Sequence, residues 1–488
     1  MSPAKDDASI KNGFAQDIDD FGHSQGQLSP SDDRRILRQI DMNLLPVMAV
    51  SYLFQFLDKS ALGFTAILSL RKDLHVTGLE YSWANSIYYF GYLVASYPMG
   101  WLLVRLPVGR LIAGSIFVWG AILMLTSTCS NSGGLLANRF FLGASESAIG
   151  PGLTVIVAMW YKRSEQPLRH GAWYLGNTTA GVFGGLVGYG VGHINTIAPW
   201  KAVFLIFGAC TVIWSAVVYF FLPDTPSNAR FLNEEDRVKA IERVRENMTG
   251  IKSDEWKWKQ SFEAFLDIKV WLLFIIQITS QIANGGIHGF GSIIIKGFGF
   301  TTLNTLLVQI IAYVFQFVFV AICTVGSTYL KNSRTYFMAW NLAIALTGAA
   351  MIREVHKELI WARFMGYCLA IGYSANFPMI LSMSSGNVAG FTKKTTVNAM
   401  IFIAYCAGNI IGPQLFIETE APGYSTGFLS MLICFGIGIV ACFILRFYLV
   451  WENKRRDGQA SDGMAEEDMD AGMLDRTDKE IKSFRYVY

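Results

Sequence analysis

Twelve apolar stretches, each long enough to cross a lipid bilayer, constrain the fold of this chain more than any other feature. A hydrocarbon core of about 30 Å requires about 20 apolar residues in a helix. The stretches, numbered here as spans 1 to 12, lie near residues 43–66, 82–104, 108–129, 134–160, 168–192, 200–222, 268–292, 302–328, 335–352, 359–383, 394–418 and 424–450. They predict an all-α membrane protein, because helices satisfy their own backbone hydrogen bonds in lipid.

The composition supports a lipid environment and excludes several classes of protein. The 488 residues are 52% hydrophobic and 16% charged, which is too apolar for a soluble protein of this length. A net charge of +3 gives no reason to expect a nucleic-acid partner. The seven cysteines stand singly, and the sequence has no P-loop, GxSxG, HExxH or strand-linked GxGxxG motif. We therefore expect no cofactor, no metal and no enzyme, and any active transport would draw on a gradient instead of ATP.

One long polar segment divides the spans into two sets of six. Within it, NEEDRVKAIERVREN has Asn233 as a candidate N-cap and apolar residues at helical spacing, which predicts a surface helix. Both ends of the chain are polar and are expected to be disordered. The predicted organisation is an N-terminal tail (1–42), a six-helix half (43–222), a linker with an amphipathic helix (223–267), a second six-helix half (268–450) and a C-terminal tail (451–488).

Lysine and arginine residues predict the orientation of the chain in the membrane. Short loops on the side of the linker are richer in these residues than the opposite loops, and cytoplasmic loops carry such an excess. We therefore expect both termini in the cytoplasm of a multi-pass, monomeric plasma-membrane protein.

The two sets of spans also resemble each other. Arg139 in span 4 precedes Gly181 in span 5 by about as many residues as Arg363 in span 10 precedes Gly408 in span 11. Such duplications are how many secondary transporters build alternating access, with the site between the halves near the middle of the membrane. The alternative is chance similarity between apolar helices.

Ionisable residues inside the spans are the strongest candidates for function, because each costs about 2.5–3.5 kcal/mol to insert. Asp58 and Lys59 interrupt span 1, and Arg139 and Glu146 are two turns apart on one face of span 4. Glu146 is either a packing carboxylate or a proton carrier, since burial favours its neutral form and a nearby cation its charged form. Asp58 is expected to pair with a residue from another span, such as Arg139, because adjacent residues of a helix do not face each other. Lys59 then has no evident carboxylate partner and is the best candidate to bind a substrate anion.

Polar residues on other spans supply weaker candidates for substrate binding. Asn177 in span 5, Asn376 in span 10 and Arg363 at the start of span 10 are selected. The alternative for the two asparagines is a hydrogen bond between neighbouring helices, worth about 1 kcal/mol, whereas Arg363 is selected as a further ionisable residue within a span. His288 in span 7 is interpreted as a packing residue. Pro151 is expected to bend span 4 near Glu146.

Five segments carry a resemblance that extends over nearly the whole chain. They are RQIDMNLLPVMAVSYLFQFLDKSALG, NRFFLGASESAIGPGLTVIVAMWYKRSEQPLRHGAW, FLPDTPSNARFLNEEDR, GNVAGFTKKTTVNA and the terminal FRYVY. In order and spacing they resemble the anion:cation symporters of the major facilitator superfamily, and within these the fungal allantoate permease family. The resemblance implies a proton-coupled carrier for organic anions such as allantoate, nicotinate or other carboxylates.

The resemblance also implies roles for individual residues. Asp58 and Glu146 would carry protons, Lys59 would contact the substrate carboxylate, and Arg139 would pair with the acid. The family more often has arginine at the position of Lys59, and lysine cannot form the bidentate fork that arginine makes with a carboxylate. The loop GWLLVRLPVGR after span 2 lacks the aspartate that is usual in the superfamily.

Three functions are consistent with the sequence. The first is proton-coupled uptake of a small organic anion. The second is efflux of a secondary metabolite or toxic acid, which is disfavoured because AGVFGGLVG in span 5 lacks the Gly-Pro motif usual in drug antiporters. The third is a nutrient-sensing receptor with a transporter fold.

Overall fold

The computed structural model describes residues 29–162, 165–194, 196–245, 256–458 and 476–488, and within them the regular structure is entirely helical. The predicted disorder of residues 1–28 lies outside the described residues. The helices, numbered α1 to α14 in chain order, are Pro30–Asp73, Gly78–Arg105, Val108–Thr128, Ser132–Trp160, Gln166–Val191, Pro199–Phe221, Glu234–Arg245, Trp258–Phe265, Ile268–Gly297, Thr302–Tyr329, Arg334–Glu354, Ile360–Asn387, Phe391–Gln414 and Ser425–Asp457.

Helices α1 to α6 and α9 to α14 correspond to the twelve predicted spans and confirm the predicted fold class. Ten of these twelve described helices are both long and apolar enough to cross a membrane. The other two, α2 and α5, are less apolar but have 28 and 26 residues. At 1.5 Å per residue they extend about 40 Å, which exceeds the thickness of the hydrocarbon core.

The two six-helix sets pack in the same pattern. In the first set α1 packs against α5, α2 against α4 and α3 against α6, and in the second set α9 packs against α13, α10 against α12 and α11 against α14. The sets meet where α2 packs on α13 and α5 packs on α10. Because corresponding helices pack in the same way, the two sets form two pseudo-symmetric halves.

Helices α4 and α12 are interrupted at corresponding positions near their middle. Regular α-helix stops at Glu146 and resumes at Ile149 in α4, and a tighter helical turn, Ile371–Ala375, interrupts α12. A proline follows each break, Pro151 and Pro378, and proline cannot bond to the carbonyl four residues before it. In α12 that carbonyl belongs to Ser374, and it accepts a hydrogen bond from Tyr174 of α5 at 3.3 Å. The freed carbonyl thus contributes to the contact between the halves.

The start of α1, the linker and the C-terminal segment lie on one face of the bundle, which we call the terminal face. Helix α1 begins at Pro30. Residues 30–42 are therefore helical, contrary to the expectation that they belong to a disordered tail. Arg35 forms a two-pronged ion pair with Asp236 of α7, at 2.5 and 2.9 Å. Helix α7 starts where Asn233 accepts a hydrogen bond from the backbone of Asp236 at 2.7 Å. These contacts hold the first part of the linker against the N-terminal half.

On the opposite face, the two halves are bridged by polar contacts. Glu418, in the loop before α14, forms an ion pair with Arg71 and accepts a hydrogen bond from the backbone of Gly78 at 2.6 Å. Tyr81 of α2 donates to the carbonyl of Gly289 in α9 at 2.6 Å. Ser86 of α2 donates to the carbonyl of Ile410 in α13 at 2.7 Å. The halves are therefore closed together at this face.

The C-terminal segment 476–488 packs on the C-terminal half, contrary to the disorder predicted for it, while residues 459–475 of the same tail lie outside the described residues. Asp478 is fully buried and forms ion pairs with Lys269 at the start of α9 and with Lys393 at the start of α13. The ammonium of Lys393 also bonds to Glu263 and Asp267, at 2.8 and 2.9 Å. Two lysines are thus shared among three carboxylates, which tie α8, α9, α13 and the C-terminal segment together.

We expect the substitution Asp478→Asn to destabilise the folded protein by about 3 kcal/mol, because removing one member of a buried ionic cluster leaves its partners uncompensated. Burial alone favours the neutral form of this carboxyl, but the charges of Lys269 and Lys393 outweigh it and lower the pKa of Asp478 from 3.8 to about 2. Its stabilising contribution is therefore complete above about pH 4 and is lost as the pH falls towards 2. Thermal unfolding of the purified protein in detergent measures the effect.

The matched control is Arg485→Gln, which removes an ion pair with Asp457 from the same segment. That pair is exposed, so its loss should change stability by less than about 1 kcal/mol. Equal melting temperatures for the two variants would contradict a structural role for the buried cluster.

Candidate functional site

The carboxylate of Asp58 is enclosed by helices of the N-terminal half. Asp58 lies in α1, is fully buried, and its Oδ2 accepts hydrogen bonds from Trp119 of α3 at 2.7 Å and from Thr211 of α6 at 2.8 Å. Its Oδ1 has no partner among the described residues. The expectation of partners from other spans holds, but these partners are neutral donors, and Asp58 forms no ion pair with Arg139 within 4.0 Å in the described part of the chain.

Glu146 ends the first segment of α4 and is also fully buried. Tyr88 of α2 donates a hydrogen bond to its Oε2 at 2.5 Å, while Oε1 has no partner among the described residues. Helices α2 and α4 approach closely here, since a Cβ at Gly143 would collide with the carbonyl of Tyr88 and one at Gly91 with that of Phe140. Two glycines thus set the distance at which the tyrosine hydroxyl meets the carboxylate.

Lys59 follows Asp58 in α1 but extends towards the C-terminal half. Its Nζ donates to the hydroxyl of Tyr405 in α13 at 3.4 Å and lies 5.0 Å from the ring centre of Tyr89 in α2. Within the described ranges it forms no ion pair within 4.0 Å. Aromatic rings attract a cation through their faces but do not neutralise it. Lys59 is therefore a charged group held by neutral partners at the boundary between the halves.

Lys59 and Arg139 line one pocket between the two halves. The N-terminal half contributes residues of α1, α2 and α4, and the C-terminal half contributes residues of α9 and α13. The lining residues are Lys59, Ala84, Asn85, Tyr88, Tyr89, Arg139, Gly285, His288, Gly289 and Pro413. Arg139 is 2% exposed and its Nε has no partner among the described residues. Two cations that have no carboxylate within 4.0 Å in the described ranges thus face a common space.

The four charged residues form an electrostatic cluster without direct ion pairs. Glu146 interacts electrostatically with Asp58, Lys59 and Arg139, and Asp58 interacts with Arg139. With both acids ionised, the two negative and two positive charges sum to zero. Protonation of one acid leaves a net charge of +1 beside the pocket, which favours an anion. The arrangement can therefore couple proton binding to anion binding.

The remaining candidates lie outside the pocket. Asn376 is fully buried, accepts from Asn341 of α11 at 2.9 Å and donates to the carbonyl of Met338, so it joins α12 to α11. Arg363 lies at the opposite face, where it donates to the carbonyl of Ile352 and covers the ring of Phe298. Asn177 is buried in α5 beside Tyr52 of α1. Asn376 and Arg363 thus form contacts between helices, and their contact with substrate stays a prediction.

Several residues of the site were not selected from the sequence. Tyr88, Tyr89 and Tyr405 are uncharged aromatic residues in apolar spans, and Trp119 and Thr211 resemble ordinary packing residues. The one available signal was the YYFGY run in span 2, which places hydroxyls at membrane depth. His288, interpreted as a packing residue, packs edge-on against Phe56 and also lines the pocket.

Comparison with known proteins identifies the family. The family model of the Major Facilitator Superfamily matches residues 48–413. The allantoate permease of Saccharomyces cerevisiae is 32% identical and the alignment covers 94% of this chain and 88% of that protein. Uncharacterized transporter C460.05 of Schizosaccharomyces pombe is 36% identical, with 97% and 88% covered. The thiamine pathway transporter THI73 of Saccharomyces cerevisiae is 29% identical, with 95% and 87% covered.

Solved structures show the same fold. The proton:xylose symporter XylE superposes with a TM-score of 0.67 at 12% identity, covering 83% of this chain and 94% of that one. A bacterial Spinster homologue in an inward-facing, unoccupied conformation gives 0.60 at 14% identity, covering 86% and 97%. These are membrane transporters and not enzymes. The chain belongs to the Major Facilitator Superfamily and, within it, to the fungal allantoate permease family.

Proposed function

We propose that this protein imports a small organic anion, most simply a carboxylate nutrient, together with protons. The observation that carries the proposal is the pocket between the halves, where Lys59 and Arg139 face a common space while Asp58 and Glu146 are buried beside them. Cations that have no carboxylate partner among the described residues are available to an anion, and buried acids with one unbonded oxygen are available to a proton.

The coupling follows from charge balance. When Asp58 and Glu146 are both ionised, they neutralise the two cations and weaken anion binding. Protonation of Glu146 removes one negative charge, so a proton and a monoanion each favour binding of the other, and this coupling is reciprocal. A site that holds one proton and one monoanion carries the same net charge as the empty site. It can therefore switch from one side of the membrane to the other without moving net charge.

Alternating access is the proposed route of the substrate. Lys59 contacts Tyr405 across the boundary between the halves, so a substrate at Lys59 touches both. At the opposite face, Glu418 bridges the halves through Arg71 and Gly78. We infer that these contacts break when the pocket opens to that face, and that contacts such as Tyr174 to Ser374 separate when it opens to the terminal face.

The relatives agree with a nutrient carrier. One of them is named as an allantoate permease and another as a thiamine pathway transporter. Among solved structures of the same fold is a proton:xylose symporter. We propose a monomer in the plasma membrane with both termini in the cytoplasm, so that the bridged opposite face is extracellular.

Uptake of radiolabelled carboxylates by a transport-deficient yeast that expresses the protein tests the proposal. A panel that includes allantoate and nicotinate, assayed at two external pH values, should contain a substrate whose uptake is faster at the lower pH. An uncoupler that dissipates the proton gradient should reduce accumulation to the external concentration, because no other driving force remains.

The matched control is the neutral amide of the best substrate, which has nearly the same shape but no charge. We expect the amide to compete poorly, since Lys59 and Arg139 would be left without an anion. Uptake that is insensitive both to pH and to the uncoupler would contradict proton coupling, and equal transport of acid and amide would contradict anion recognition.

A further inference from the structure

Helix α8, in the second part of the linker, exposes a continuous aromatic surface. Trp258, Phe262 and Phe265 recur at i, i+4 and i+7 and share one side of this helix. Trp258 and Phe262 are 68% and 63% exposed, and their ring centres lie 6.5 Å apart. Trp256 and Leu266 extend the surface at both ends and are also exposed. So large an apolar surface is unfavourable in water and indicates a partner.

The other side of α8 is fixed to the protein. Gln260, Ser261 and Ala264 are buried, and Ser261 hydrogen bonds to Thr396 of α13 at 3.1 Å. Glu263 bonds to Lys393 at 2.8 Å. The aromatic side therefore cannot turn inward without breaking these contacts, and its exposure is a consequence of how the helix is held.

The contacts of α8 place it across the end of a membrane-spanning helix. Lys257, just before α8, donates from its backbone to Thr392, and Asp267, just after α8, bonds to Lys393. Both ends of α8 therefore lie at the level of the first turn of α13, which indicates that α8 runs along the membrane surface.

The aromatic surface continues into the lipid-facing side of α9. Trp271 of α9 is exposed and its indole nitrogen donates to the carbonyl of Phe265 at 2.7 Å. Ile268, at the start of α9, is 58% exposed beside it. Since α9 crosses the bilayer, a surface joined to its outer side begins where the hydrocarbon begins.

We propose that α8 is an interfacial anchor whose aromatic surface is inserted at the boundary between headgroups and acyl chains of the leaflet at the terminal face. Tryptophan is enriched at this depth, and amphipathic helices lie in this plane with their apolar side in lipid. Lys259 lies on the polar flank, where it reaches the aqueous side and pairs with Glu480 at 3.6 Å. The anchor fixes the end of the linker that is attached to the C-terminal half. This inference does not depend on the substrate or on proton coupling.

Site-directed spin labelling of the full chain in phosphatidylcholine nanodiscs tests the anchor. Cys129 and Cys210 are replaced by serine, and the other five cysteines are buried. A nitroxide is then attached to Phe262→Cys or, as the matched control on the same helix, to Lys259→Cys. For each label we compare the collision rate with oxygen, which concentrates in lipid, to the collision rate with a water-soluble nickel chelate. We expect this ratio to be several-fold higher for the label at 262 than for the label at 259.

Two other results of the spin-label experiment would overturn the proposal. Equal access to the nickel chelate at both positions would place the aromatic surface in water. Dipolar broadening at 262 between labelled copies would show that a second copy of the chain covers it. If the cysteine variants fail to fold, tryptophan fluorescence is measured instead. The emission of Trp258 is then the difference between the unchanged protein and the variant Trp258→Phe. That emission should be quenched by phosphatidylcholine brominated near the headgroup, and absence of quenching contradicts the anchor.

Discussion

In proteoliposomes with an inward gradient of two pH units, Glu146→Gln is expected to abolish accumulation of the substrate while it still exchanges across the membrane. One proton coupled to one monoanion allows accumulation of up to about 100-fold under this gradient, because each pH unit corresponds to about 1.4 kcal/mol. Glutamine resembles the protonated acid in shape and charge, so the site should keep the charge state that binds an anion at every pH. Net transport then requires a return step that the neutral side chain cannot link to proton release.

Two measurements on the same vesicles separate this result from a folding defect. Counterflow of labelled against unlabelled substrate should remain within a few-fold of the unchanged protein, while accumulation falls to a ratio of about 1. The matched control is Tyr88→Phe, which removes the hydrogen bond to Glu146 but keeps the carboxylate, so accumulation should be retained. If Glu146→Gln still accumulates substrate, protonation of this residue is not what couples transport.

Lys59→Gln is expected to weaken substrate binding by about 30-fold. A hydrogen bond to a charged group contributes about 1.5–3 kcal/mol, and a loss of about 2 kcal/mol corresponds to this factor in Kd. The effect should be large because Lys59 is held by neutral partners, Tyr405 and Tyr89, so its charge is not already neutralised by a direct carboxylate contact. Binding of a labelled substrate to purified protein measures it.

The substitutions Lys59→Arg and Tyr405→Phe are the controls for charge and position. Arginine keeps the positive charge and should retain most of the affinity. Removal of the tyrosine hydroxyl frees Lys59 from a hydrogen bond of 3.4 Å and should change Kd by only a few-fold, since a bond of this length is weak. An unchanged Kd in Lys59→Gln would place the anion elsewhere in the pocket.

The spans of this fold could be predicted because the bilayer requires long apolar helices, and length and hydropathy are properties of the local sequence. The extensions beyond the spans could not be predicted in this way. Helix α1 begins at Pro30, and residues 476–488 are docked, because distant charges such as Asp236 and Lys393 hold them. Hydropathy contains no information about such contacts.

For the candidate site, the sequence identified the charged residues but not the side chains that hydrogen bond to them. A charge inside a span is conspicuous because lipid makes it costly, which singled out Asp58, Lys59, Arg139 and Glu146. Which neutral side chain reaches them depends on the rotation and separation of neighbouring helices, so Trp119 for Asp58 was missed. Arg363 resembles Arg139 in its sequence context but lies at the opposite face, where it bonds to the carbonyl of Ile352.

The pocket divides its chemistry unequally between the two halves. Its charged side chains, Lys59 and Arg139, belong to the N-terminal half, whereas Gly285, His288, Gly289 and Pro413 of the C-terminal half supply shape. Substitutions in the C-terminal half are therefore expected to change which substrate fits the pocket and to leave its two charged side chains in place.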